Sequence, residues 1–273
     1  MKYPILLPNI FDHPFTYESS LKLKTGDYVN VPFGRKTITG VVWDEFEKNV
    51  NKKFEIKSVK KKLNIEPLKL QVVDFLNWFS QYNIVPLGMA LKLHLLSGNA
   101  IEKQKNIEYQ KYQIKINREK FHLSDEQEKT FKELIKYDNL FRVHLLQGTT
   151  GSGKTIVYYK AIEKIIDRGQ QSLILLPEIG LTGEFEKKFK NFFGFEAAVW
   201  HSKITPKKKK IIWSGLANGK IKVVIGARSA LFLPFKKLGL IVVDEEHDQS
   251  FKQDEGVTYN ARDMAIARAN KDN

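Results

Sequence analysis

Residues 141–155 read FRVHLLQGTTGSGKT. An apolar run followed by a glycine-rich turn that closes on lysine and threonine is the pattern of a strand feeding a helix through a phosphate loop. Gly148, Thr149, Thr150, Gly151, Ser152, Gly153, Lys154 and Thr155 fill every position of that pattern. Glycines let the backbone wrap closely enough for its N–H groups to face phosphate oxygens, and the helix behind them adds the positive field of its N-terminus. Lys154 can then reach the β and γ phosphates of ATP, and Thr155 can ligate Mg²⁺. A glycine-rich turn with no ligand is the plain alternative, and the complete pattern between strand and helix argues against it.

Downstream, apolar runs alternate with amphipathic helical stretches: 171–177 (QSLILLP), 196–200 (EAAVW), 221–225 (IKVVI) and 238–244 (LGLIVVD). That rhythm predicts a parallel α/β sheet, and the continuous runs at 173–176 and 238–243 predict strands covered by helices on both faces. The last run ends in Asp244, Glu245, Glu246 and His247, at the carboxyl end of a strand, where such sheets bind ligands. There Asp244 would hold Mg²⁺, and Glu245 would orient and partly deprotonate the attacking water. An exposed acidic turn is the competing reading, and the pairing with the phosphate loop makes ATP hydrolysis the implied chemistry. Gln127 precedes the loop in LSDEQ, 123–127. It has two candidate roles, reading adenine through its amide or closing a capping box with Ser124, and the two are compatible.

Upstream, short alternating runs at 27–33, 36–44 and 54–60 are separated by the turn residues Gly26, Gly34 and Asn51, and helical patterns follow at 67–82 and 86–96. Pro67 would open the first helix, where a missing N–H costs little. Residues 1–97 therefore read as a small β-rich α+β domain. The polar, lysine-rich segment 98–122 reads as a linker with one short strand at 112–116, and residues 123–273 read as the α/β lobe. No internal repeat is present.

The chain has 273 residues, 42% hydrophobic and 12% aromatic, enough to bury a sizeable core. Its net charge of +14 favours polyanionic partners such as nucleic acid. The runs at 60–62 and 207–210 also fit solvated faces and are given no role. The N-terminus lacks the unbroken apolar run of a signal peptide, and no apolar stretch approaches a membrane span, so a cytoplasmic location with no membrane partner is expected. With no cysteine there is neither a disulfide nor a thiolate zinc site.

Taken in order, GTTGSGKT (148–155), LLPEIGLT (175–182), His201-Ser202, IGARSALFLPF (225–235) and LIVVDEEHDQSFKQDEGVTYNARD (240–263) resemble the first-lobe motifs of the PriA family of primosomal helicases. The doubled glutamate of DEEH and the SFKQDEG segment after it carry most of that resemblance. It implies a RecA-like parallel-sheet lobe of a superfamily 2, 3′-to-5′ DNA helicase. VNVPFG (29–34) with Gly40-Val41-Val42 resembles the family's domain for DNA 3′ ends. The resemblance puts Phe15, Gly34 and Lys57 in the terminal nucleotide's pocket, with the ring stacking, the glycine permitting close approach and the lysine meeting phosphate. Taken alone, Phe15 reads as core and Lys57 as a surface cation. Thr16 stands where the family commonly has aspartate, so recognition of the 3′ hydroxyl by a carboxylate is not carried over.

By the same resemblance Arg228 contacts the tracked strand's backbone, and Phe251 and Tyr259 belong to an aromatic-rich loop that senses single-stranded DNA. Plain packing of those two rings on the sheet is the alternative. His247 either couples the nucleotide and DNA sites or bonds a neighbouring strand. The resemblance further implies fork-structured DNA with a 3′ end, single-stranded DNA-binding protein and primosome loading factors as partners, in replication restart near the nucleoid. Segment 98–122 has no room for the family's winged helix. The second lobe and the zinc-binding cysteines are expected outside these residues, so this chain alone is expected to bind ATP weakly and to hydrolyse it hardly at all. Another superfamily 2 DNA translocase, an RNA-dependent ATPase and a non-catalytic DNA-end-binding module are the alternatives.

Overall fold

A computed structural model describes residues 1–44, 56–95, 109, 112, 121–136, 140–177 and 183–272. The chain divides into two compact units. The first comprises Met1–Ile107 with Thr205–Ser214 and Asp254–Tyr259, and the second Glu108–Ile204, Gly215–Gln253 and Asn260–Asn273.

In the first unit five strands, β1 (Lys2–Leu6), β2 (Phe15–Glu18), β3 (Tyr28–Phe33), β4 (Lys36–Val42) and β5 (Lys61–Lys62), form a sheet in the order β2-β1-β4-β3-β5. Every pairing in it is antiparallel. Alternation along β3 and β4 turns Val29, Val31 and Val42 inward onto Ile5, Leu7 and Tyr17. A two-residue turn joins these strands, with Phe33 opposite Lys36 and Gly34 at φ 57°. Such tight hairpins need positive φ, which glycine supplies without strain.

The expected runs at 27–33 and 36–44 are thus β3 and β4, whereas β1 and β2 were not read from the sequence. Pro4 disguises β1: it breaks the apolar run, and only Ile5 and Leu6 pair with β4. The run at 54–60 is not a strand where it is described. Ser58 makes a single bridge to Glu18, and β5 starts later, while residues 54 and 55 and Asn51 lie outside the described residues.

Helix α1 (Leu70–Tyr82) buries Val72, Val73, Phe75, Leu76, Phe79 and Ser80, one face at helical spacing. It begins three residues after Pro67 because Leu68 is engaged elsewhere, its N–H donating to the Gly26 carbonyl at 2.8 Å. Gly26 has φ 88°, and a Cβ there would lie 2.1 Å from the Leu68 oxygen. Helix α2 (Leu87–His94) is shorter than the expected 86–96, and residue 96 is outside the described set. A buried group ties it down. The Tyr28 hydroxyl lies 2.7 Å from His94 Nε2, and the Trp213 indole donates to the His94 carbonyl at 3.2 Å.

The second unit holds the expected parallel sheet. Strands β6 (Gln171–Leu175), β7 (Ala198–Trp200), β8 (Val223–Gly226) and β9 (Leu238–Val243) lie in the order β7-β8-β6-β9, every pair parallel. Helices α3 (Asp125–Ile135), α4 (Lys154–Asp167), α5 (Gly183–Phe193) and α7 (Ala261–Asp272) accompany it; α6 (Pro206–Ala217) falls mostly in the first unit, the two-residue strand β10 (Lys252–Gln253) in the second, and β11 (Tyr259–Asn260) divides between them. Tyr159 packs edge-on to Phe189, Phe192 and Phe185 between α4 and α5, forming an aromatic core on one side of β6.

One expectation fails here. Residues 141–147 form no strand, and Val143 and Leu145 are 59% and 77% exposed. An apolar run becomes a strand only when an open edge pairs with it, and among the described residues none does. Helices α4 and α7 both pack on β9, which is half-buried from Leu240 to Val243, and β6 is its sole described neighbour. β6, by contrast, is buried along its whole length.

Residues 178–182 of LLPEIGLT, most of segment 98–122 and residues 113–116 of the expected strand there lie outside the described residues. Among the described residues no helix is long and apolar enough to cross a membrane.

Candidate functional site

Helix α4 starts at Lys154 without any side-chain cap, and its N-cap Gly153 has φ 82°, as does Gly151. The first turn of a helix leaves N–H groups without intrahelical acceptors, and together with the axial dipole they attract an anion. The Lys154 ammonium lies over the loop, donating to the carbonyls of Gly148 at 2.7 Å and Thr149 at 3.0 Å. Ser152 N–H donates to Thr149 O at 3.2 Å and closes the turn.

Gln127 braces the loop from α3. Both halves of the capping box are made: Ser124 N–H donates to Gln127 Oε1 at 3.0 Å and Gln127 N–H to Ser124 Oγ at 3.4 Å. Its Nε2 also donates to the Ser152 carbonyl, at 3.1 Å. A glutamine amide has two donor hydrogens and two acceptor lone pairs. One of each is left over, the pair that could meet the N6 and N7 edge of adenine.

Asp244 and Glu245 follow directly on β9. Asp244 N–H donates to Leu175 O at 3.0 Å, carrying the β6–β9 ladder one residue past the strand. Its carboxylate is held at both oxygens, Oδ1 by the Glu245 N–H at 3.0 Å and Oδ2 by the Tyr158 hydroxyl at 2.8 Å. Burial, then the Asp244 charge, hold the Tyr158 phenol well above the ordinary range, so it stays protonated and donates. Thr155, one turn earlier on α4, shares a helical face with Tyr158. A threonine hydroxyl and a carboxylate are hard oxygen donors, the kind taken by a cation that binds one or two protein oxygens and phosphates besides.

Glu245 adopts φ 53°, in the left-handed region, with its side chain 62% exposed at the strand tip. Non-glycine residues in that region are strained and gather at functional sites. His247 Nε2 lies 3.7 Å from Glu245 Oε2, on the exposed side. Glu246 turns away from the loop and pairs with Arg262 at 3.0 Å.

The DNA-contact expectations meet mixed surroundings. Phe15 sits in an aromatic group with Phe11 (5.2 Å between centroids), His13 (4.9 Å) and Phe33 (5.5 Å), and Gly34 directly follows Phe33. Phe11 is 41% exposed. Lys57 is exposed beside β2, its carbonyl accepting from Glu18 N–H at 3.0 Å. Thr16 is exposed, opposite Pro4. Arg228 is engaged with protein, donating to the Lys252 carbonyl. Phe251 and Tyr259 are buried, Tyr259 edge-on to Phe79 at 5.5 Å, so in this conformation neither ring faces solvent for a base to stack on. Sequence reasoning missed Tyr158, Phe11, His13 and Phe33. No local signal marked the first, whose partner Asp244 is 86 positions away.

Comparison with known proteins converges on the same parts. The profile of the 3′ DNA-binding domain of PriA matches residues 4–95, and that of the DEAD/DEAH box helicases matches residues 124–271. The replication restart protein PriA of Rickettsia conorii is 41% identical over 270 residues, 98% of this chain and 41% of the relative. That of Helicobacter pylori is 36% identical over 265 residues, 94% of this chain and 39% of the relative. PriA of Bacillus subtilis is 39% identical over 184 residues, covering 66% of this chain and 23% of the relative. The chain therefore spans about two-fifths of the length of the first of these relatives. With its helicase profile covering residues 124–271, the chain belongs to the DEAD/DEAH box helicase family and is a homologue of replication restart protein PriA.

Proposed function

We propose that this chain supplies the ATP-binding lobe and the DNA 3′-end-binding domain of a 3′-to-5′ DNA helicase that acts in replication restart. The observation that carries the ATPase part is the hydrogen bond from the hydroxyl of Tyr158, one turn after Thr155 on the loop helix, to Asp244 at the tip of β9. Backbone amides of 148–153 and the Lys154 ammonium bind the β and γ phosphates. Thr155 and Asp244 would hold Mg²⁺, which when bound draws charge off those phosphates. Glu245 orients the attacking water and takes its proton, and Gln127 meets adenine with its spare N–H and lone pair. His247, beside Glu245, carries the state of the nucleotide outward.

In the first unit Phe15 and its aromatic neighbours stack on the terminal nucleotide, Gly34 lets the strand approach, and Lys57 meets its phosphate. Arg228 and the loop of Phe251 and Tyr259 respond to the tracked single strand. For the rings this requires the loop to open. The net charge of +14 supports a polyanionic partner. The domain limits 1–97, 98–122 and 123–273, assembly with single-stranded DNA-binding protein and loading factors, and a cytoplasmic, nucleoid-associated location belong to the same proposal. So does slow ATP turnover by this chain alone, as it spans two-fifths of its relatives' length and charge-stabilising arginines in related NTPases come from outside the loop lobe.

Titration of labelled forks whose leading-strand 3′ end is free or blocked tests the DNA part. Preference for the free end, lost in Phe15→Ala and Lys57→Ala, is expected. Equal affinity for both forks and for duplex RNA would sink it.

A further inference from the structure

We propose that Tyr158 is a positioning residue of the metal site, its hydroxyl orienting the Asp244 carboxylate toward the cation bound with ATP. The inference rests on the ATPase reading above and adds a residue to it. Tyr158 lies three residues after Thr155, so both project from one face of α4. Its ring is 6% exposed and packs edge-on to Tyr159 at 5.2 Å, within the aromatic core. A tyrosine ring packed on its sides has no freedom left to move its hydroxyl. The oxygen is thereby a fixed point, 2.8 Å from Asp244 Oδ2.

Asp244 needs such a point. It lies beyond the last residue of β9, an edge strand among the described residues, and the left-handed Glu245 follows directly after it. Left to itself a short carboxylate at a strand tip samples several rotamers. With Oδ1 accepting from Glu245 N–H and Oδ2 from Tyr158, one rotamer is selected, and each oxygen keeps a lone pair for a metal. Thr155 stands one turn before Tyr158 on the same face of α4, so the second expected ligand is carried by the helix that supplies this hydroxyl. Partners behind metal ligands commonly change metal affinity or activity by about 10- to 100-fold when removed.

The test is a titration of a fluorescent ATP analogue at a series of Mg²⁺ concentrations, on the full chain and on Tyr158→Phe, which keeps the ring and its packing. The Mg²⁺ concentration for half-maximal tightening is expected to rise about tenfold or more in Tyr158→Phe, while metal-free nucleotide affinity and the ligand-free melting temperature stay as in the parent chain. In an Asp244→Asn background the same change should have no further effect, because the carboxylate it orients is gone. A Mg²⁺ midpoint within twofold of the parent, or equal losses with and without metal, would overturn the proposal. If the parent chain itself shows no Mg²⁺-dependent tightening, the ATPase reading falls and takes this inference with it, so the two failures are distinguishable.

Discussion

Replacing Gly153 by alanine perturbs the phosphate loop in two separable ways. The residue sits at φ 82°, where an L side chain costs roughly 1–2 kcal/mol. The new Cβ would also lie 2.4 Å from Gln127 Nε2, displacing the amide that donates to Ser152 O at 3.1 Å. A hydrogen bond of that kind contributes about 1 kcal/mol. Together they disfavour the phosphate-ready loop by about 2–3 kcal/mol, a loss of about 30- to 150-fold in ATP affinity at tenfold per 1.4 kcal/mol. Gly151 shares the φ of 82°, but nothing lies within 4 Å of its added Cβ. Gly151→Ala should therefore lose only about 5- to 30-fold, from the left-handed backbone alone. The double variant Gly153→Ala, Gln127→Ala removes the collision but also the amide assigned to adenine, so it should bind more weakly than Gly153→Ala alone. Equilibrium titration of a fluorescent ATP analogue reads all three. The reasoning is refuted if Gly153→Ala binds within threefold of the parent, or if Gly151→Ala is the worse of the pair.

Glu245→Gln should leave ATP binding intact and slow single-turnover hydrolysis by about 100-fold or more, the scale of general base catalysis. An unchanged rate would remove Glu245 from the chemistry. In the first unit Trp213, 1% exposed and bonded to the His94 carbonyl, fills a core position. Trp213→Ala should destabilise the protein by about 3–5 kcal/mol in denaturant unfolding, and a loss below 1 kcal/mol would contradict that packing.

The parts readable in the sequence are those whose physics is local. Glycines at fixed spacing, Ser124 and Gln127 at capping distance, and the uninterrupted apolar run of β6 each constrain the backbone within one turn or one strand, and all form as read. Residues 141–147 show the opposite case. Their alternation permits a strand, but strand formation is a pairwise property, and no described strand pairs with them. Pro4 hides β1 for a related reason: whether a proline is tolerated depends on which side of the strand has a neighbour, and the sequence does not report that. At the site, the loop and the acidic tip were readable as separate motifs. Tyr158 was not, since its importance lies in the distance to a carboxylate 86 positions away. The burial of Phe251 and Tyr259 belongs to the same class, because an aromatic residue reads alike whether it faces a base or a core.

Crystallising the chain with a non-hydrolysable ATP analogue and Mn²⁺ in place of Mg²⁺, and locating the metal by its anomalous scattering, tests the central claim most directly. One peak within coordination distance of Thr155 Oγ1 and Asp244 Oδ, either directly or through one water, with the β and γ phosphates against Lys154, is expected. A metal bound elsewhere, or an Asp244 carboxylate directed away from the triphosphate, would contradict it.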